Sequence, residues 1–135
     1  MRGEAKRWFS EALWDLDTAR ILYREKRFNA AVFYAHQAAG KAVKALLYSI
    51  NESPWGHSIR DLLMRYYRSK GVDINEEILS YARELDIHYI PSRYPNAHPR
   101  GTPHEAYDER IASNALKASE KIVDYIGRLL GFERE

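Results

Sequence analysis

The chain contains no cysteine and no long uninterrupted apolar run, and each absence excludes a class of protein. Without cysteine the chain can form neither a disulfide nor a thiolate metal site, which is typical of proteins kept in a reducing cytoplasm. No apolar stretch approaches the length that crosses a bilayer, and the basic residues near the N-terminus are not followed by the apolar segment of a secretory signal. We therefore expect a cytoplasmic protein that has no membrane partner.

A large excess of charge of either sign is also lacking. The 21 Lys and Arg residues nearly balance the 19 Asp and Glu residues, which gives a net charge of +2. A surface that binds anions must therefore be local rather than spread over the whole chain. With 135 residues, of which 45% are hydrophobic, the chain is sufficient for one domain with its own core and too short for two. We predict a single domain over residues 1–135.

Apolar residues recur every three or four positions in five segments, which is the period of an amphipathic helix, and no segment alternates with the period of a strand. The first two stripes are Ala5, Trp8, Phe9, Ala12, Leu16, Ala19 and Tyr23, and Phe28, Ala31, Val32, Ala35, Ala38, Ala39, Ala42, Val43, Leu46 and Leu47. Shorter stripes lie around Leu62 and Leu63, from Ile78 to Tyr89, and from Ile111 to Leu129. The sequence therefore predicts an all-α, up-and-down bundle of about five helices.

Polar residues that favour helix starts precede the three shorter stripes. Ser58, with Asp61 three residues later, has the pattern of a capping box, and Asn75 is placed to cap the fourth helix. The last helix has two alternative caps, Thr102 and Asp108. The sequence leaves that choice open.

A proline-rich stretch, YIPSRYPNAHPRGTPHEAYD at residues 89–108, separates the last two helices. Residues 87–104 include two Arg and three His and no acidic residue. This composition fits a reactive site, a binding loop or a packed turn. In the last interpretation Arg93 reaches carbonyl groups or an acid on a neighbouring helix, while Tyr89 and Tyr94 pack on the core.

The histidines of this stretch do not predict a metal site. His88, His98 and His104 are separated by loop residues, and no Asp or Glu lies near them within the stretch. We therefore predict neither a metal ion nor a cofactor.

A second group of polar residues lies on the second helix. Gln37, Lys41 and Lys44 are four and three residues apart, so they share one helical face beside the alanine stripe. This face is either a solvated edge or one wall of a groove that it forms with the proline-rich stretch. In the second case the groove binds a phosphate-bearing ligand or an acidic partner, and its ligand-binding residues are Gln37, Lys41, Lys44, Arg93, Tyr94 and Arg100.

Three stretches together resemble the HEPN domain family of small helical proteins. They are FYAHQAAGKAVKALL (Phe33–Leu47), GHSIRDLL (Gly56–Leu63) and LDIHYIPSRYP (Leu85–Pro95), in the order that the family has them. One departure is Gly40, which stands where the family usually has an acid.

The resemblance implies a homodimer and leaves two kinds of function open. Some members of the family are metal-independent ribonucleases of toxin systems, and others accompany a small nucleotidyltransferase or bind nucleotides. The alanine-rich second helix and an apolar cluster on the first helix, Trp8, Phe9 and Trp14, would suit either a dimer interface or the core. We expect a nucleotide- or RNA-binding accessory protein that acts with a separately encoded minimal nucleotidyltransferase in a toxin–antitoxin-like pair.

The alternative is a ribonuclease toxin. The nuclease branch is marked by an Arg, four to six intervening residues and a His, and Arg93 and His98 match this spacing with four residues between them. A guanidinium binds phosphate in a bidentate manner, and an imidazole exchanges the proton of a ribose 2′-hydroxyl. Residues five apart on a helix point about 140° away from each other, so the catalytic pair Arg93 and His98 would need a loop or a cleft shared by two subunits.

Overall fold

The computed structural model describes residues 2–132, and within that range the protein is helical with no strand. The elements are α1 (Arg2–Arg24), α2 (Phe28–Ser49), α3 (Ile59–Lys70), α4 (Glu76–Asp86), a 3₁₀ turn (Pro95–Ala97), α5 (Pro103–Ala106) and α6 (Glu109–Leu130). The prediction of an all-α helical bundle is confirmed. The five predicted helices are α1, α2, α3, α4 and α6, and the proline-rich stretch adds the single turn of α5.

The alanine-rich helix α2 lies at the centre of the bundle and contacts each of the other five α-helices. Six of its seven alanines are fully buried, and they are Ala31, Ala35, Ala38, Ala39, Ala42 and Ala45. Because a methyl group projects little from the backbone, neighbouring helices can approach α2 closely. At one such contact the Ser119 hydroxyl of α6 donates a hydrogen bond of 2.7 Å to the backbone oxygen of Ala35.

Side-chain caps fix where the later helices begin. Three caps accept a hydrogen bond from the backbone N–H three residues on, and they are Ser58, Asn75 and Asp108. Thr102 and Asp108 are not alternatives: Thr102 forms a capping box with Glu105 at α5, and Asp108 caps α6. At α3 the predicted box is incomplete, because the Asp61 carboxylate lies 3.4 Å from the Arg60 guanidinium instead.

Most of the predicted apolar stripes form one buried core. Phe9 of α1 is buried and Trp8 is partly buried against the same core, but Trp14 is 68% exposed. The apolar surface that α1 leaves outside the core is therefore centred on Trp14. In the part of the chain that the structure describes, no helix is both long and apolar enough to cross a membrane.

Candidate functional site

The proline-rich stretch continues from α4 as a series of tight turns that are fastened to α2. The backbone N–H of Ser92 donates to the His88 oxygen at 3.1 Å, and that of Tyr94 donates to the Ile90 oxygen at 3.2 Å. Ser92 is fully buried, and its own carbonyl oxygen accepts a 3.1 Å hydrogen bond from Asn29 of α2. The segment that carries Arg93 is therefore held in place by hydrogen bonds within its own turns and by one from α2.

Arg93 is surrounded by three aromatic rings. Its guanidinium carbon lies 4.4 Å from the ring centre of Phe33, 4.5 Å from that of Tyr89 and 4.8 Å from that of Tyr94. Its Nε donates a 3.0 Å hydrogen bond to the Tyr89 carbonyl oxygen. No carboxylate among residues 2–132 forms an ion pair with Arg93. The guanidinium is thus oriented by π-systems and one carbonyl, and its charge is not neutralised by a neighbouring acid.

His98 is held by different partners. Its Nε2 donates a 2.7 Å hydrogen bond to the Pro91 carbonyl oxygen, and its ring meets that of Tyr107 edge-on at 6.5 Å between centres. A carbonyl oxygen only accepts, so Nε2 carries the proton and Nδ1 is the remaining nitrogen. Within residues 2–132 no hydrogen bond or ring contact joins His98 to Arg93. The structure thus leaves the catalytic pairing of these two residues a prediction.

The Tyr89 ring contacts two histidines that come from separate parts of the chain. Its ring centre lies 4.9 Å from that of His36 on α2 and 5.0 Å from that of His57, which is stacked at 19° just before α3. Because Tyr89 also carries Arg93, these contacts connect the start of α3 to the arginine site. Tyr94, by contrast, is 46% exposed and packs on Arg93 rather than on the core, which differs from the packed-turn interpretation.

A partly buried contact between His36 and Asp86 lies beneath these rings. His36 Nε2 lies 3.1 Å from Asp86 Oδ1, and Asp86 also accepts hydrogen bonds from the Ile59 and Arg60 N–H groups and from the Ser58 hydroxyl. Burial would raise the pKa of Asp86, but the hydrogen bonds from His36 and the two amides outweigh it and hold that pKa below its usual value. One carboxylate therefore ties the end of α4 to the start of α3 and to α2.

Two of the three polar residues of α2, Lys41 and Lys44, contact α1. Lys41 forms an ion pair with the buried carboxylate of Asp15, with 2.7 Å between Nζ and Oδ2. Lys44 lies over the Trp8 ring at 5.7 Å, and burial together with the nearby charge of Lys41 lowers its pKa. Gln37, the third of these residues, is half-buried.

These contacts separate the two halves of the expected groove. Phe33, on which Arg93 packs, and Lys44 are 11 residues apart on α2, which corresponds to roughly 16 Å along the helix axis. Lys41 is largely neutralised by Asp15, whereas Arg100 is exposed and forms no ion pair among residues 2–132. Through the Tyr89 ring, Arg93 is instead connected to His57.

Sequence reasoning missed Asp86, the residue on which this arrangement depends. One signal was present: Asp86 is the last residue of α4, where the helix dipole disfavours a carboxylate. An acid at that position suggests a compensating tertiary partner. Neither the partner His36 nor the stacking of His57 on Tyr89 is indicated by sequence spacing, because the contacting residues are 50 and 32 positions apart.

The site contains no arrangement of metal ligands. In the described range of the chain, no three His, Asp or Glu side chains are placed to hold a metal ion.

The same fold occurs in solved structures of comparable length. The crystal structure of TT1696 from Thermus thermophilus is 35% identical and superposes with a TM-score of 0.89, covering 95% of this chain and 98% of that one. ST0689, described as an archaeal HEPN homologue, is 32% identical with a TM-score of 0.79 and coverage of 94% and 98%. An HEPN domain protein from Thermotoga maritima, tm0613, is 31% identical with a TM-score of 0.73 and coverage of 93% and 98%.

Sequence comparison gives the same result. A curated protein of Methanocaldococcus jannaschii, named "Putative toxin MJ1304", is 26% identical over 129 residues, which is 90% of this chain and 85% of that protein. The HEPN domain family model matches residues 5–129, nearly the whole chain. The protein therefore belongs to the HEPN domain family.

Proposed function

We propose that this protein is an RNA- or nucleotide-binding component of a toxin–antitoxin-like pair, which acts in the cytoplasm with a separately encoded minimal nucleotidyltransferase. The observation that carries the proposal is the state of Arg93: a guanidinium pre-oriented by Phe33, Tyr89 and Tyr94, with no acidic partner in the described chain. An oriented, half-buried cation binds phosphate at a smaller entropic cost than a free side chain does.

Two further features support a binding role. The relative from Methanocaldococcus jannaschii carries a toxin name, which supports assignment to a toxin system. Ile87 and Ile90, which precede Arg93 in the same stretch, are 66% and 44% exposed, so the segment that carries the cation also exposes apolar side chains. Exposed apolar side chains grouped beside a binding loop are typical of protein contacts, and we assign them to the nucleotidyltransferase.

The test is binding of fluorescently labelled UMP and of a labelled oligouridine to the purified protein at several salt concentrations. We expect Arg93→Ala to weaken both by about tenfold or more. Arg128→Ala, which removes an exposed arginine from the far end of α6, serves as the matched control. Equal affinities for wild type and Arg93→Ala, with both proteins folded, would refute the proposal.

A specific observation also favours the ribonuclease alternative. The hydrogen bond from His98 Nε2 to Pro91 leaves Nδ1 as the nitrogen that accepts a proton in the neutral imidazole. In this alternative Arg93 binds the phosphate and His98 acts as the general base, in a cleft completed by a second subunit. Cleavage of cellular RNA in EDTA, lost in folded Arg93→Ala and His98→Ala, supports it, and the absence of cleavage by wild type rejects it.

We also propose that the protein forms a homodimer. Trp14 and Ile21, seven residues apart on α1, are 68% and 45% exposed and lie on one face of that helix. Sedimentation equilibrium over a range of concentrations tests this proposal, and a monomer at all of them would reject it.

A further inference from the structure

A second basic surface lies next to the Arg93 site, at the start of α3. It is a cavity of about 550 Å³ whose lining includes Trp55, His57 and three arginines, Arg60, Arg65 and Arg68. None of these arginines belongs to the phosphate-binding set that the sequence suggested. Among the described residues the only acid in the lining is Asp61, whose exposed carboxylate lies 3.4 Å from Arg60. Such an exposed pair is weak, so the cavity keeps a positive balance.

Trp55 is exposed and yet held in a fixed orientation. The indole is 71% exposed, and the Arg65 guanidinium lies 4.5 Å from its ring centre. Arg65 also donates to the carbonyl oxygens of Ser53 and Trp55 at 2.6 and 2.9 Å. Arg65 therefore fastens the loop and covers one face of the indole, while the large exposed area leaves the other face accessible. An oriented open ring is a stacking platform for a planar ligand.

The anion-binding capacity of this cavity comes from side chains and not from the helix start. The backbone N–H groups of Ile59 and Arg60, which would otherwise bind an anion at the N-terminus of α3, already donate to Asp86. Arg68 is exposed and makes no ion pair among residues 2–132. Phosphates at this cavity must therefore be bound by Arg60 and Arg68.

The cavity and the Arg93 site are connected by aromatic contacts. His57 lines the cavity and stacks on Tyr89 at 5.0 Å, and the Tyr89 ring lies 4.5 Å from the Arg93 guanidinium. From the cavity to the loop, the contacts thus run from the His57 ring to the Tyr89 ring and then to the Arg93 cation. Aromatic rings beside cations are the features that bind single strands, whose bases are free to stack, rather than duplexes, whose bases are enclosed.

We infer that the Trp55 cavity and the Arg93 site form one continuous track for single-stranded RNA, in which Trp55 stacks a base while Arg60 and Arg68 bind flanking phosphates. The inference rests on the proposed function, because it extends the ligand of the Arg93 site from one nucleotide to a strand. Arg65 is a positioning residue in this track, since its hydrogen bonds orient Trp55.

The test compares an oligouridine with UMP, both fluorescently labelled, by anisotropy titration of the full chain. We expect Trp55→Ala to weaken binding of the oligouridine about tenfold or more and to leave the affinity for UMP unchanged, because UMP occupies the Arg93 site alone. Trp55→Phe keeps a ring and should retain most of the affinity. Arg68→Ala should lower the slope of log affinity against log salt by about 0.7, the value for one phosphate contact on a single strand.

Two control substitutions on α6 show whether a loss of ligand binding is specific to the track. Leu129→Ala removes an exposed apolar side chain and Arg128→Ala an exposed arginine, both away from the track, and neither should change the binding of either ligand. Thermal melts establish that every variant is folded.

Each other outcome has a defined meaning. If Arg93→Ala abolishes binding of both ligands while Trp55→Ala and Arg68→Ala bind oligouridine like wild type, the track is overturned and the proposed function stands. If the wild-type protein binds neither ligand, both the track and the proposed function are overturned. If oligouridine binding depends on Trp55 but not on Arg93, the cavity binds RNA separately and the continuous track is rejected. If Trp55→Ala instead loses only a protein partner, the cavity is a protein interface and the inference is rejected.

Discussion

Asp86 Oδ1 and His36 Nε2 lie 3.1 Å apart, within hydrogen-bond distance, on helices that are distant in sequence, and the same carboxylate caps α3. His36 in turn supports the Tyr89 ring on which Arg93 lies. The orientation of the candidate site therefore depends on a residue that does not itself face the ligand. Substitutions at different residues can therefore measure the free energy of unfolding and the affinity for a ligand separately.

Asp86→Ala should destabilise the fold substantially. It removes the acceptor of two backbone N–H groups and leaves buried His36 without its partner, so we expect the free energy of unfolding to fall by about 3 kcal/mol. Urea denaturation followed by circular dichroism measures this change. Asp61→Ala removes a carboxylate from the same helix start, but one that is exposed and paired only with Arg60, and should cost less than about 0.5 kcal/mol. Similar losses in both variants would contradict the role given to Asp86.

Acid should weaken the fold in two separate pH ranges. Burial, followed by repulsion from His36, lowers the pKa of His88 below the usual 6.5. An unfolded chain therefore binds this proton first, and stability falls as the pH drops below 6.5 until the lower folded pKa has been passed. The lowered pKa of Asp86 works in the same direction but further down, below its usual 3.8, as its carboxylate takes up a proton in the folded state.

The histidine contribution can be isolated by substitution. His88 Nδ1 lies 2.7 Å from the hydroxyl of Tyr107, whose pKa burial raises to about 12, so this hydroxyl stays neutral throughout the acid range. His88→Gln removes the titrating group and should flatten the stability profile just below pH 6.5 while leaving the loss below pH 3.8 in place. Chemical denaturation at closely spaced pH values gives the profile. A slope that is the same with and without His88 would refute this assignment.

Arg93→Lys should behave as a loss of function although it conserves charge. A lysine ammonium cannot lie flat against three rings or donate two parallel hydrogen bonds to phosphate. We expect the free energy of unfolding to fall by about 1 kcal/mol and UMP affinity to fall about tenfold. Arg100→Lys changes an exposed arginine of the same stretch that contacts no ring within residues 2–132, and should leave stability within about 0.5 kcal/mol of wild type. Binding of UMP by Arg93→Lys with the wild-type affinity would show that a positive charge alone is sufficient for binding.

The helices were predictable because their signals are local. The stripe from Phe28 to Leu47 repeats with the period of a helix, and caps such as Asn75 and Asp108 act within three residues of themselves. These determinants do not require knowledge of the rest of the fold. Only smaller details differed from the prediction, such as the Asp61 carboxylate, which contacts Arg60 and does not complete a capping box at α3.

The site was less predictable because its contacts join distant parts of the chain. Arg93 packs on Phe33, 60 residues earlier, and nothing in either segment specifies that pairing. The sequence drew attention to Arg93 and offered a groove shared with Lys41 as one interpretation, whereas Asp15 of α1 holds that lysine. Helix packing determines which basic residues share a surface, and periodicity does not specify helix packing.

Gly40 and Gly127 offer a matched test of how tightly the helices pack. A Cβ at Gly40 would lie 3.9 Å from Ile59 Cγ1, an ordinary van der Waals contact, so Gly40→Ala should stabilise the protein by up to about 1 kcal/mol through helix propensity. A Cβ at Gly127 would lie 3.1 Å from the Phe9 ring and 3.2 Å from the backbone oxygen of Phe132. Gly127→Ala should therefore destabilise the protein by about 1–3 kcal/mol despite the same gain in propensity. The melting temperature should rise for Gly40→Ala and fall for Gly127→Ala. A fall in both would mean that α2 and α3 lie closer together at Gly40 than the 3.9 Å distance indicates.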